Sequence, residues 1–144
     1  MLVALQNLTG PKGTLLLMAT IVVSDTAQYY TGRAFGRRPL APAISPKKTV
    51  EGAIGGMLIA TAFMAIAMTF LFPATPVVVR VLLGLVVVFL GITGDLFESR
   101  LKRLAGIKDS SHLIPGHGGV LDRIDALLFA IPVFYFMVLQ GRVA

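Results

Sequence analysis

Four carboxylates in the C-terminal half of this chain fall into two pairs. Asp95 and Glu98 stand three apart, with Ser99 next to them, and Asp122 and Asp125 stand three apart further on. On a helix, residues at i, i+3 and i+4 share one face. Between the pairs lie Lys102, Arg103 and Lys108, followed by the turn Pro115-Gly-His117-Gly118-Gly119. Carboxylates suit a divalent cation, while lysine and arginine suit phosphate. Glycines let backbone N–H groups approach an anion closely, and a helix start favours negative charge. The chemistry this predicts is phosphoryl or nucleotidyl transfer, with His117 donating to a phosphate oxygen or orienting a carboxylate. A structural account stays open beside it: caps at helix ends, such as Asp122 at a helix N-terminus, and basic residues that only anchor the chain at an interface.

The elements that must position these groups are apolar. Of 144 residues, 56% are hydrophobic and 14% charged, and the mean hydropathy is +0.83. No Asp, Glu, Lys or Arg occurs in 52–79, 81–94 or 126–141, and 13–32 carries only Asp25. A helix needs about 20 apolar residues to cross a bilayer. We therefore expect an all-α, polytopic transmembrane bundle in one domain, with four spans at about 13–30, 50–71, 77–98 and 119–139. Pro73 and Pro76 mark a tight turn between the second and third, and Pro132 kinks the fourth. Gly55-Gly56, Ala60, Ala62 and Ala65 are expected to permit close helix packing.

Two polar loops, 31–49 and 99–118, hold most of the basic residues. The positive-inside rule puts both in the cytoplasm and both termini outside. The net charge of +6 therefore reads as membrane orientation rather than nucleic-acid binding. The chain has no cysteine, which excludes disulfides and thiolate metal sites. Its first residues lack the basic start of a secretory signal. At the second span, Thr49 or Ser45 is placed to cap the helix and Glu51 suits its first turn. Capping leaves Lys47-Lys48 unexplained, and that pair could hold a nucleoside triphosphate. Asp25 could join the site or bond a neighbouring helix.

The run Ser99-x-Leu101-Lys102-Arg103, then Lys108-Asp109-x-Ser111-x-x-Ile114-Pro115-x-His117-Gly118-Gly119-Val120-x-Asp122-Arg123-Ile124-Asp125, resembles the C-terminal motif of the phosphatidate cytidylyltransferase (CDP-diacylglycerol synthase) family. Thr93-Gly94-Asp95-Leu96-Phe97-Glu98, Leu40-Ala41-Pro42 and Ser45-Pro46-x-Lys48-Thr49-x-Glu51-Gly52 are similar to it as well. Asp25 to Gly32 departs at Gln28, where alanine is usual, and Val50 replaces a common aromatic. The resemblance spans Leu15 onward and reads as the catalytic half of a longer protein, either a compact homologue or a truncated product.

The resemblance implies condensation of CTP with phosphatidate to CDP-diacylglycerol and pyrophosphate, with Mg2+ required and a second, monovalent cation left open. It implies metal ligation by Asp95 and Asp122 first, then Glu98 and Asp125. Catalysis would involve Asp95, Asp122, Lys102, Arg103 and His117. Substrate binding would involve Ser45, Lys47, Lys48, Thr49, Glu51, Lys108, Gly118, Gly119 and Arg123. The expected location is the bacterial cytoplasmic (inner) membrane with the site on the cytoplasmic side, and the expected assembly is a homodimer. A CTP-dependent kinase of a polyprenol-type lipid, or an inactive fragment or assembly subunit, are the alternatives at this point.

Overall fold

A computed structural model of the chain describes residues 2–106 and 121–140, with side chains for 3–106 and 127–140. Four helices make up nearly all of it: α1 (Leu2–Phe35), α2 (Val50–Leu71), α3 (Val77–Leu104) and α4 (Leu121–Leu139). Two short strands, β1 (Pro39–Ala41) and β2 (Ser45–Thr49), lie between α1 and α2. The expected helical bundle is therefore observed, and α2 starts and ends where the second span was expected.

Two features differ from the sequence reading. The segment 31–49 is not all loop. The helix continues to Phe35, and an antiparallel hairpin follows, pairing Pro39 with Thr49 and Ala41 with Ser45. Likewise 99–104 is helical, so Lys102 and Arg103 occupy the last turn of α3. Cations near a helix C-terminus complement the unpaired carbonyls there, so this charged run extends the helix rather than ending it. At the other extremity, α1 begins well before residue 13 but is broken at Gly10 (φ 66°). Only glycine takes that conformation cheaply, and Pro11 then restarts the helix.

Among the described residues, α2 and α3 are long and apolar enough to cross a membrane, with mean hydropathies of 2.1 and 2.5. A shorter apolar stretch, Leu127–Leu139, belongs to α4. The lower apolarity of α1 comes from Ser24, Asp25 and Gln28, which interrupt its C-terminal half.

The main core joins all four helices. Leu5, Leu17, Met64, Met68, Leu83, Val87 and Phe134 are fully buried in it. It lies toward the α2–α3 turn, and a smaller cluster of Ala60, Val88 and Ile92 continues it toward the hairpin. At the turn, Arg80 is buried and donates to Thr69 Oγ1 (2.8 Å) and to the Pro73 carbonyl (2.9 Å). It thus ties the start of α3 to the end of α2. A hydrogen bond to a charged group is worth about 1.5–3 kcal/mol. Arg80→Ala is expected to destabilise the bundle by about 1–3 kcal/mol, measured as a lower melting temperature in detergent.

Helices α1 and α2 approach closely near the hairpin. A Cβ on Gly52 would lie 2.8 Å from the Gln28 carbonyl oxygen and 3.1 Å from Gly32 Cα. One on Gly56 would collide with Gln28 Cγ. Thr31 Oγ1 donates across the contact to the Gly52 carbonyl at 3.2 Å. Such contacts are how helices associate in lipid, where burial of apolar surface gives no advantage over the acyl chains. Gly55, Gly56 and Ala60 therefore pack as expected, whereas Ala62 faces outward.

Candidate functional site

The close α1–α2 contact, the hairpin and the C-terminal part of α3 enclose a cavity of about 600 Å3 at the end of the bundle opposite the Pro73–Pro76 turn. A cavity of several hundred Å3 is the usual size of a small-molecule site. Helix α1 contributes Asp25, Gln28, Tyr29, Gly32 and Arg33; the hairpin contributes Ser45, Lys47, Lys48 and Thr49; α2 contributes Gly52 and Ala53; α3 contributes Asp95.

Local sequence explains each placement. Thr49 caps α2, its side-chain oxygen accepting the Gly52 N–H at 3.1 Å, as predicted. The Glu51 carboxylate accepts the Arg37 and Arg38 backbone N–H groups at 3.0 and 3.2 Å, and the Val50 N–H donates to the Arg38 carbonyl at 2.9 Å. These bonds pin both ends of the hairpin against α2, so β2 must run along the cavity with Lys47 and Lys48 on its wall. Glu51 holds the backbone that carries the lysines.

Asp95 lies more than two turns before the end of α3, and its carboxylate pairs with the Lys48 ammonium. Arg103 Nε donates to the Ile44 carbonyl at 3.3 Å, a second tie between α3 and the hairpin. Gln28 Nε2 donates to Ser24 Oγ at 3.1 Å, and Arg33 Nη1 to the Tyr29 hydroxyl at 3.4 Å. The cavity wall is thus mixed in charge, with one arginine, two lysines and two aspartates beside an aromatic ring.

Of the residues singled out from sequence, the structure brings together Asp95, Ser45, Lys47, Lys48 and Thr49 on this cavity. Glu98 is buried and does not line it; its carboxylate pairs with Lys102 Nζ at 3.2 Å, one helical turn on. Lys102 and Arg103 likewise stand beside the cavity rather than on its wall. Lys108, His117, Gly118 and Gly119 lie outside the described residues, as do the side chains of Asp122, Arg123 and Asp125. Gln28, Tyr29 and Arg33 are absent from the sequence-based site, and Asp25, open in sequence between the site and a helix contact, lies on the cavity wall. Asp25 carried a usable signal, being the sole charge in an otherwise uncharged span, where an ionisable residue marks function by default.

A divalent cation fits this donor set. Mg2+ keeps several waters and is commonly held by one or two carboxylates plus substrate phosphates. Asp25 and Asp95 supply two hard oxygen donors on one cavity, and Lys47 and Lys48 on the same wall suit phosphate. Among the described residues, no three acidic or histidine side chains cluster closely enough to hold a metal unaided.

A membrane-type helical bundle with a cavity of small-molecule size and mixed charge at one end is the class of protein the fold defines. Residues 2–140 match the model of the cytidylyltransferase family, and the chain belongs to that family. It is similar to the phosphatidate cytidylyltransferase of Aquifex aeolicus, with 43% identity over 128 residues, 89% of this chain and 48% of that protein. The Haemophilus influenzae phosphatidate cytidylyltransferase is 47% identical over 137 residues, 87% of this chain and 46% of the relative. That of Bacillus subtilis is 39% identical over 137 residues, 94% of this chain and 51% of the relative. The chain thus spans about half the length of the curated relatives it matches.

Proposed function

We propose that this chain forms the nucleotide-binding half of a phosphatidate cytidylyltransferase, joining CTP to phosphatidate to give CDP-diacylglycerol and pyrophosphate on the cytoplasmic side of a bacterial inner membrane. The observation that carries the reading is the convergence of Asp25, Lys48 and Asp95, from three separate elements, on one cavity in a chain of this family. The names of its relatives supply the lipid substrate. The position of the cavity supports it too. The basic residues Arg33, Arg37, Arg38, Lys47, Lys48, Arg100, Lys102 and Arg103 gather at this end of the bundle, the end that the positive-inside rule assigns to the cytoplasm. A water-soluble triphosphate can reach the cavity there while acyl chains stay in lipid.

In the proposed reaction a phosphatidate phosphate oxygen attacks the α-phosphorus of CTP. A new P–O bond forms, the bond to the bridging oxygen of the β-phosphate breaks, and pyrophosphate leaves with that electron pair. The nucleophile is already ionised, so no general base is required. The work of the protein is positioning and neutralisation of charge. Lys47, Lys48 and Arg33 hold phosphate oxygens and reduce repulsion between two anionic substrates. Tyr29 adds an aromatic ring to the lining. Asp25 and Asp95 would hold the Mg2+, which when bound offsets charge on the substrate phosphates and on the departing pyrophosphate. A homodimer belongs to the same proposal, because outward apolar side chains such as Leu58, Phe70 and Phe89 need either lipid or a second copy against them.

Two labels on CTP test the reaction. With purified protein, Mg2+ and phosphatidate in mixed micelles, label in the cytidine ring is expected to enter the lipid and label in the γ-phosphate to leave as pyrophosphate. Transfer of γ-label to a lipid alcohol with no cytidine incorporated would instead make the chain a lipid kinase.

A further inference from the structure

Lys48 and Asp95 oppose each other across the cavity. The lysine reaches from β2 and the aspartate from α3, and their charged ends pair directly. This pair creates a conflict within the site. A divalent cation that uses Asp95 must displace the ammonium from the carboxylate. A phosphate that uses Lys48 must draw the same ammonium away from Asp95. Either event alone removes a favourable contact. When both occur together the lysine exchanges one anionic oxygen for another, and the carboxylate exchanges one cation for another.

We propose that Lys48 is an exchangeable counter-ion, neutralising Asp95 in the pair seen here and passing to the polyphosphate when a divalent cation takes the carboxylate. The nucleotide identity of the polyphosphate rests on the function proposed above; the exchange itself does not. The fold permits the movement. The Lys48 side chain is 25% exposed and that of Asp95 32%, so both reach solvent in the cavity. The backbone that carries Lys48 is meanwhile fixed by the Thr49 cap and by the Glu51 bonds to Arg37 and Arg38. The ammonium can therefore swing on its stem while the strand stays in place. A lysine suits this better than an arginine, being a compact point charge on a flexible four-carbon chain. The consequence is thermodynamic linkage: metal alone binds poorly, polyphosphate alone binds poorly, and the two favour each other.

The exchange predicts opposite effects from one substitution. Mn2+ serves as the metal probe, read by electron paramagnetic resonance on the purified chain in detergent, and tripolyphosphate as the phosphate probe, read by calorimetry. Lys48→Met removes the competing cation and is expected to tighten binding of Mn2+ alone by about fivefold, the scale of a partly exposed ion pair. The same variant is expected to weaken binding of tripolyphosphate in saturating Mn2+ by about tenfold, the scale of a charge-assisted contact. Lys48→Gln should repeat both effects. Lys47→Met, the same charge change one residue away, should move Mn2+ affinity much less. Equal or weaker Mn2+ binding in both Lys48 variants overturns the proposal, as does an equal tightening in Lys47→Met. Tighter binding of both probes would make Lys48 a competitor only and overturn the hand-over. CTP measured beside tripolyphosphate separates the two readings. If the opposite shifts appear with tripolyphosphate but the protein does not bind CTP, the exchange stands and the cytidylyltransferase reading falls.

Discussion

Asp95→Asn is expected to lower cytidylyl transfer by at least about a hundredfold, the loss that follows removal of a few kcal/mol of preorganised electrostatic stabilisation. Asparagine keeps the shape of the side chain and one oxygen, but not the charge. The carboxylate is the α3 contribution to the cavity and the partner of Lys48. Its loss removes a ligand to the proposed metal and the anchor of the lysine together. The side chain is partly exposed, so the fold should survive. An unchanged melting temperature beside the lost turnover separates a chemical role from a structural one. Near-normal turnover would remove Asp95 from the reaction.

Gly52→Val carries the second large effect, and its route is geometric. Position 52 faces backbone on α1: the Gln28 carbonyl and Gly32 Cα lie where a side chain would have to go. Neither can move by rotating a side chain, so α1 and α2 must separate. Overpacking of this kind costs about 1–3 kcal/mol. Gln28 and Gly32 also line the cavity, so the same displacement opens its floor. We expect a lower melting temperature and a fall in CTP affinity of about tenfold or more, since small misplacements of binding groups have large consequences. Arg80→Ala gives the comparison. It is destabilised at the far turn, where nothing touches the cavity, and should retain its affinity for CTP. A Gly52→Val protein that melts early but binds CTP normally would mean that the α1–α2 contact does not shape the site.

Much of this architecture was legible because the physics is one-dimensional. Uncharged runs of span length mark helices whatever surrounds them, and so α2 was placed from residue 50 to 71 without a contact being known. The Thr49 cap was readable for the same reason, since a hydroxyl before a helical run has a local acceptor role. The hairpin was not readable. Ser45-Pro-Lys-Lys-Thr49 contains no alternating apolar pattern, and its strand state depends on Glu51 binding the Arg37 and Arg38 N–H groups, a contact across more than a dozen residues. Read as a loop marker, the charge at 99–104 ends α3 too early, because Lys102 pairs with Glu98 one turn back and supports the helix.

Asp95 and the lysine pair were found from type and spacing. The contribution of α1 was harder, because Asp25 and Arg33 become neighbours of Lys48 and Asp95 only after α1 and α2 pack through glycine. Spacing along one chain also cannot distinguish two carboxylates that serve one cavity from two that do not. Asp95 and Glu98 share a helix, yet Asp95 lines the cavity and Glu98 is bound by Lys102.

In the proposed site α1, the hairpin and α3 together hold the nucleotide. Photolabelling with an azido-cytosine analogue of CTP, followed by peptide mapping, tests it most directly. Attachment is expected within residues 25–33 and 45–53, abolished by excess CTP and reduced in Asp95→Asn when Mg2+ is present. Labelling that maps only to the outer faces of α2 and α3, or that excess CTP does not suppress, would contradict it.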